Sequence, residues 1–263
     1  MSDLLLSFFL GLVQGLTEFL PISSSAHLLL PSLIFGSNDL GLPFDIAVHA
    51  GTLVAVIYFF RKELILMTKS IFTNDDRLIE HRKLSTYLII ATIPVIFAGL
   101  IFSNIIQQRI FSISSIAISN LFFAVILLFA FLTRISNKNL FQLTLYGALF
   151  IGIVQCFALI PGASRSGTAI TAALLIGMNL KDSSKFSFML GIPTILGALV
   201  LLIIEIQTLD ITYNSMNLFI GFFVSMIFAF FTIKLFLDFV EKIGMIPFVT
   251  YRIFLAALLF LLI

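Results

Sequence analysis

A chain of 263 residues that is 60% hydrophobic and 11% charged, with a mean hydropathy of +1.17, lies outside the range of soluble globular domains. Several apolar runs are long enough to cross a bilayer, so the composition is that of an all-α polytopic membrane protein. The formal net charge of +2 says little by itself, because in a membrane protein the loops that hold the charges matter; no nucleic-acid partner is expected, and the single cysteine, Cys156, excludes an intramolecular disulfide or a multi-cysteine metal site. With 31 Phe, 5 Tyr and no Trp, interfacial anchoring falls to Tyr, Lys and Arg, and most Phe should face lipid or neighbouring helices. Cys156 is read as a small buried apolar residue.

The first apolar run follows Asp3, has no Lys or Arg before it and contains Gln14 and Glu18, so it is expected to belong to the mature fold rather than to a cleaved signal. Residues 4–20 and 22–35 are two apolar pieces broken by Pro21 and a serine run. Each is at or below the roughly 17 residues a span needs, and they read as a re-entrant helix pair, whose irregular backbone must be buried in protein or line a polar cavity.

A first full crossing is expected over 44–60, ending at Arg61-Lys62. Residues 61–85 carry Arg61, Lys62, Lys69, Arg77, Arg82 and Lys83 against Glu63, Asp75, Asp76 and Glu80, an excess of Lys and Arg that marks a cytoplasmic loop. Crossings follow over 86–105, where Pro94 and Gly99 suggest a kink, and over 113–133, which returns Arg134 and Lys138 to the inner side. Residues 143–160 and 168–179 form another pair of short apolar pieces, with Lys181 and Lys185 inside. Three more crossings are expected over 186–205, 217–237 and 246–263, with Glu205 and Asp210 outside and Lys234 and Lys242 inside. Both termini then lie outside, Arg109 falls in an outer loop, and Arg252, inside the last span, is expected to snorkel or to pair with a loop.

The two broken pieces resemble each other. Gly11-Leu12-Val13-Gln14 is matched by Gly152-Ile153-Val154-Gln155; each copy then reaches a proline, Pro21 or Pro161, and a serine three residues on, Ser24 or Ser164. Gly36 and Gly177 close the pairs. The offset is 141 at the glycines (152 − 11) and 140 at the prolines (161 − 21), which implies one residue gained or lost. Each copy precedes three crossings, so the second enters the membrane from the opposite face. The single domain, 1–263, therefore reads as an inverted-topology repeat, about 1–135 and 140–263, each half a re-entrant helix pair plus three transmembrane helices. Its two polar knots should face each other near the midplane.

Gln14 and Glu18 share a helix face at i, i+4, just before the break. A carboxylate at membrane depth is costly, which makes Glu18 a functional candidate, with Ser23, Ser24 and His27 beside it in sequence. The second knot, residues 161–168, combines Gly162, Ser164, Ser166, Gly167 and Thr168 with Arg165. Glycines permit close backbone approach, the hydroxyls donate, and a following helix presents free N–H groups to an anion. Helix capping explains the hydroxyls but leaves a buried arginine without a counter-charge, so Arg165 points to an anionic ligand. Asp45 and His49 share a face at the start of the first crossing and are read as structural, and Gly11 and Gly15 as a helix-packing face.

These residues closely resemble the bacterial undecaprenyl-diphosphate phosphatase family, also known as bacitracin-resistance proteins. One signature, Glu/Gln-x-x-x-Glu running into Pro-x-Ser-Ser-x-x-His, is met by Gln14, Glu18, Pro21, Ser23, Ser24 and His27; a second, rich in Ser and Arg, is met by Pro161 to Ser166. Gln14 stands where many members have Glu. The resemblance, which covers essentially the whole chain, implies hydrolysis of a polyprenyl diphosphate to the monophosphate, recycling the lipid carrier of cell-wall synthesis in the bacterial plasma membrane. It also implies a divalent cation, Mg or Ca, for which Glu18 would be the metal ligand.

Phosphoryl transfer needs positioning and charge neutralisation above all. Arg165, Ser164, Ser166 and the loop N–H groups would hold the diphosphate. Glu18 and His27 would supply base and acid, or activate Ser24 as a nucleophile; direct attack by water stays open beside the covalent route. Catalytic roles thus fall to Glu18, Ser24, His27 and Arg165, and substrate binding to Gln14, Ser23, Gly162, Ser164, Ser166, Gly167 and Thr168. The polyprenyl tail is expected in a lateral opening lined by Phe and Leu. The rival reading is a polyprenyl-phosphate transporter or flippase, since inverted repeats with broken helices are common in transporters. Membrane lipids are the other partners, and the sequence permits a homodimer.

Overall fold

The computed structural model describes residues 3–37, 39–73, 75–102, 112–206 and 214–261. Among them every regular element is helical. The helices are α1 (Asp3–Thr17), α2 (Ser24–Phe35), α3 (Gly41–Phe59), α4 (Arg61–Phe72), α5 (Ile79–Ile101), α6 (Ile113–Thr133), α7 (Leu145–Gln155), α8 (Arg165–Leu175), α9 (Leu180–Ile206), α10 (Ser215–Ile243) and α11 (Ile246–Phe260). By length and composition α3, α5, α6, α9 and α10 can cross a membrane. The sixth expected crossing, over 246–263, is described as α11, a 15-residue helix, short of the roughly 17 residues a span needs. Arg109 and Asp210 lie outside the described residues, and Glu205 falls within α9.

The charged stretch 61–85 is not an open loop. Residues 61–72 form α4, which buries Met67 and Ser70, and α5 begins at Ile79. Arg82, on the first turns of α5, donates to the carbonyls of Ser70 and Thr73 at the end of α4. Those carbonyls have no acceptor role within the helix, so a basic side chain both completes α4 and ties it to the next span. The breaks at the two short pairs fall where expected. α1 ends at Thr17 and α7 at Gln155, each before its proline, and Gly36 (φ 58°) and Gly177 (φ 90°) follow the ends of α2 and α8 in the left-handed region.

Helix α10 is the spine on one side, packed against both α1 and α3. The contact depends on small residues, as the Gly11 and Gly15 face predicts. A Cβ on Gly15 would stand 2.7 Å from the Ser225 carbonyl and 2.8 Å from Phe228 Cβ, and Gly51 of α3 lies against the backbone of Phe222 and the hydroxyl of Ser225. Such close approach replaces the hydrophobic drive that lipid cannot provide. On the other side α7 packs on α5, with Gly152 against the backbone of Ala91. The phenylalanines divide as composition suggests: Phe19, Phe44, Phe60, Phe186 and Phe188 are buried, whereas Phe97, Phe129 and Phe254 are exposed on helix faces that lipid would cover. Cys156 is half-buried, less enclosed than its residue type suggests.

Candidate active site

The two polar knots meet. Each is a short irregular segment ending on a serine that caps a helix from an unusual backbone conformation: Ser23 at φ 73°, ψ 93° before α2, and Ser164 at φ 73°, ψ 117° before α8. A positive φ on a residue with a Cβ is strained, and holding two of them requires surrounding contacts that over-determine the turn. Each serine hydroxyl lies beside that of the serine two residues on, Ser23 Oγ to Ser25 Oγ at 3.3 Å and Ser164 Oγ to Ser166 Oγ at 3.2 Å. The matched backbone therefore joins Ser23, not Ser24, to Ser164. The offset of 141 (164 − 23) equals that of the flanking glycines, and no residue need be gained or lost. Under this register Ser24 corresponds to Arg165, His27 to Thr168 and Glu18 to Leu159.

The knots are laced together. The Gly162 N–H donates to Ser23 Oγ at 3.2 Å, and Ser166 Oγ donates to the Leu20 carbonyl at 2.9 Å. Between them lies Arg252, fully buried. Its Nε donates to Asn120 Oδ1 (2.8 Å), Nη1 to the Pro21 carbonyl (3.3 Å), and Nη2 to the carbonyls of Gly162 (2.7 Å) and Ala163 (3.3 Å). Asn120 returns a bond to the Arg252 carbonyl at 2.9 Å, and Ser119 donates to the Pro161 carbonyl. Arg252 does not snorkel. It pairs with loop carbonyls, which interruptions of the helices at Pro21 and Pro161 have left without helical partners. Gly162 sits at φ 96°, and a Cβ there would run into Ser119 and Ile116 of α6, so glycine is what lets the second loop reach this scaffold.

Glu18 stands at the centre, 6% exposed. Its amide N–H still donates to the Gln14 carbonyl (3.0 Å), so the side chain stays on the Gln14 face of α1. Oε2 accepts from Ser24 Oγ at 2.7 Å and from Gln14 Nε2 at 3.1 Å; Oε1 accepts from Arg165 Nη2 at 3.0 Å and Nε at 3.2 Å. His49 Nε2 is 4.0 Å from Oε2. The guanidinium of Arg165 also donates from Nη1 to the Ser187 carbonyl (3.2 Å) and lies over Phe19, 5.6 Å from the ring centroid. Gly191 of α9 packs under it, where a Cβ would be 2.8 Å from Cζ. The buried carboxylate is thus gripped on Oε1 by a guanidinium fork from the opposite loop, while Ser24 and Gln14 both donate to Oε2.

The structure brings together Gln14, Glu18, Ser24 and Arg165, and adds His49, which shares its helix face with Asp45 but belongs to the site. Ser164, Ser166 and Thr168 use their hydroxyls within the loops: Ser164 Oγ accepts from the Gly167 N–H, and Thr168 Oγ1 donates to the Arg165 carbonyl. Gly167 lets the first turn of α8 lie against the Arg252 guanidinium. His27 makes no contact with Glu18. Its Nδ1 donates to the Ser23 carbonyl at 2.7 Å, and Nε2 pairs with the Tyr251 hydroxyl at 2.6 Å, the rings stacked 5.6 Å apart. Asn120, Ser187 and Tyr251 escape a reading of the knots alone. Their signal was a polar group inside an apolar span, the same signal that singled out Glu18.

Among the described residues no three His, Cys, Asp or Glu side chains gather as a metal-binding group. One observation bears on a cation: Gln14 Oε1 is buried without a hydrogen-bond partner beside the carboxylate.

The family model described as Bacitracin resistance protein BacA matches residues 7–258. The chain is 45% identical over 265 residues to the undecaprenyl-diphosphatase of Saccharophagus degradans, covering 99% of this chain and 98% of the relative. It is 43% identical to the undecaprenyl-diphosphatase of Alcanivorax borkumensis, covering 95% and 96%, and 41% identical to undecaprenyl-diphosphatase 1 of Pseudoalteromonas translucida, covering 94% and 93%.

Proposed function

The chain belongs to the BacA family of bacitracin resistance proteins, and we propose that its reaction runs through Ser24 activated by Glu18. The protein is an undecaprenyl-diphosphatase: it converts undecaprenyl diphosphate to undecaprenyl phosphate and inorganic phosphate. The observation that carries the mechanism is the Ser24 Oγ to Glu18 Oε2 hydrogen bond of 2.7 Å, with Arg165 on the other carboxylate oxygen. A nucleophile and its base in direct contact, the base oriented by a third group, is the arrangement covalent catalysis requires.

Ser24 Oγ attacks the terminal phosphorus while Glu18 takes its proton. The bond from phosphorus to the bridging oxygen breaks, and undecaprenyl phosphate departs with that proton. Water then attacks the phosphoserine; its proton returns through Glu18 to Ser24 Oγ as inorganic phosphate is released. His49, 4.0 Å from Glu18, is the group positioned to relay protons to the carboxylate. Charge on the phosphoryl oxygens is met by the guanidinium of Arg165 and by the N–H groups that the first turns of α2 and α8 leave unpaired. Ser23, Ser164, Ser166 and Thr168 keep those turns in place. His27, bonded through Nδ1 to the Ser23 carbonyl, steadies the strained turn rather than acting as the acid.

A divalent cation fits this site as an ion shared with substrate, since such sites commonly use one or two protein oxygens and complete the shell with phosphates and water. The Glu18 carboxylate and the unpartnered Gln14 Oε1 would hold it, and it would neutralise phosphate charge. The matched turns at Ser23 and Ser164 also support the inverted repeat. α1 packs on α10 as α7 packs on α5, the pairing such a repeat demands. In that topology the Lys- and Arg-rich faces of α4 and α5 are cytoplasmic and both termini are outside.

The test is phosphate release from undecaprenyl diphosphate in detergent micelles, where no second compartment exists. The parent chain should release phosphate, Ser24→Ala should lose at least about a hundredfold in kcat, and rapid quench should trap phosphate on Ser24. Parental turnover by Ser24→Ala would overturn the covalent route and leave water as the nucleophile.

A further inference from the structure

Beside the site, α5 and α9 draw apart. Between the stretch 89–100 of α5 and 193–201 of α9 lies an apolar groove of about 560 Å³, lined also by Leu159. The walls are Ile, Leu and Val with Thr92, Pro193, Thr194, Ala198 and two glycines, and among the described residues no Phe lines it. The corresponding helices of the other half, α10 and α3, leave no such space: Gly51 meets the backbone of Phe222, and Ser225 Oγ donates to the Val48 carbonyl at 2.9 Å. The glycines also differ. A Cβ on Gly51 would collide, whereas one on Gly99 would find nothing nearer than Leu201 Cδ1 at 4.0 Å, and one on Gly197 nothing nearer than Ile96 Cγ1 at 3.7 Å. Small residues on α5 and α9 therefore do not close the helices together; they keep a channel open.

The groove and the site share helix α9. Gly191, under the Arg165 guanidinium, and Thr194, on the groove wall, are i, i+3 neighbours on one face of α9. Gln155 Nε2 donates to Thr194 Oγ1 at 3.1 Å, fixing the end of α7 to that wall. Leu159 occupies the position in the second half that Glu18 holds in the first (159 − 18 = 141). Where one half places a carboxylate at the end of its broken helix, the other places an apolar side chain at the mouth of an apolar groove.

We propose that this groove binds the polyprenyl tail of the lipid diphosphate, with the isoprene units nearest the headgroup against Leu159 and Thr194 and later units running past Gly197 to Gly99. The inference rests on the reaction proposed above. A tail whose diphosphate is held at Ser24 and Arg165 reaches the groove at high effective concentration, an advantage that an unanchored acyl chain of the bilayer lacks. Burying the tail against fixed side chains contributes affinity for long substrates without touching the chemistry.

The test separates chain length from chemistry. Gly99→Leu fills the far end of the groove, and phosphate release is measured on undecaprenyl diphosphate and on farnesyl diphosphate, which carries three isoprene units. The expected result is a KM for undecaprenyl diphosphate raised about tenfold, the loss of roughly two buried methylenes, with kcat and all farnesyl diphosphate kinetics unchanged. Gly99→Ala, which leaves most of the groove open, should behave as the parent. As a second measurement, a polyprenyl diphosphate bearing a photoreactive group in its tail should label residues of α5 or α9. Unchanged undecaprenyl diphosphate kinetics in Gly99→Leu, equal losses on both substrates, or labelling confined to other helices would each overturn the groove assignment while the phosphatase reading stands. Failure of the parent chain to hydrolyse either diphosphate would instead remove the reaction on which both rest.

Discussion

The two broken helix pairs share a backbone and divide the chemistry. Both turn at a serine with φ 73°, both pair that serine with another two residues later, and both start a helix immediately afterwards. The first half adds Glu18 before the turn and Ser24 after it; the second has Leu159 and Arg165 at the same positions. The carboxylate of one half is consequently gripped on Oε2 by its own half's Ser24 and on Oε1 by the other half's Arg165. The caps differ too. Ser164 accepts from its own helix, at the Gly167 N–H, whereas Ser23 accepts from the opposite loop, at Gly162. Two similar turns bring two helix N-termini together, and the residues that differ between them supply the carboxylate and the guanidinium that meet there.

That division of labour can be broken one side at a time. Glu18→Gln removes the carboxylate proposed as the base while keeping its shape, and kcat for phosphate release should fall by about a thousandfold with a circular-dichroism spectrum and Tm close to the parent's. Arg165→Lys weakens the second half's grip. An ammonium cannot supply the Nε and Nη2 pair that now reaches Glu18 Oε1, so a loss of about a hundredfold is expected; near-parental turnover would show that the fork is dispensable. Arg252→Met strikes the contact common to both halves. It strands the carbonyls of Pro21, Gly162 and Ala163, and should cost about 2 kcal/mol of stability, read as a lowered Tm in detergent. Arg252→Lys, which can serve only part of that fan, should fall between it and the parent.

Much of this was legible in the chain. Glu18 and Arg165 were recognisable because charge inside apolar sequence is costly and must be answered, and each answers the other. The breaks at Pro21 and Pro161 followed from proline and from pieces too short to span. His27 illustrates what was not legible: adjacency in sequence to Ser24 suggested a shared reaction, but one helical turn carries its ring away to Tyr251, 224 residues later. His49 shows the converse, since nothing in its own span distinguishes a structural histidine from one that approaches Glu18. Counting from the prolines pairs Ser24 with Ser164, whereas the shared φ of 73° pairs Ser23 with Ser164. Backbone conformation, which decides where a helix starts, was the better ruler.

The sequence by itself determined the membrane class, the two interrupted helix pairs and the residue types of the site, because hydropathy, proline and intramembrane charge act locally and at high cost. Tertiary structure alone decided which hydroxyl faces the carboxylate, that Arg252 is an internal strut rather than an interfacial anchor, and that α5 and α9 part where α3 and α10 close. Those outcomes depend on interhelical approach and on hydrogen-bond direction, across separations from the six residues between Glu18 and Ser24 to the 132 between Asn120 and Arg252, which no local pattern encodes.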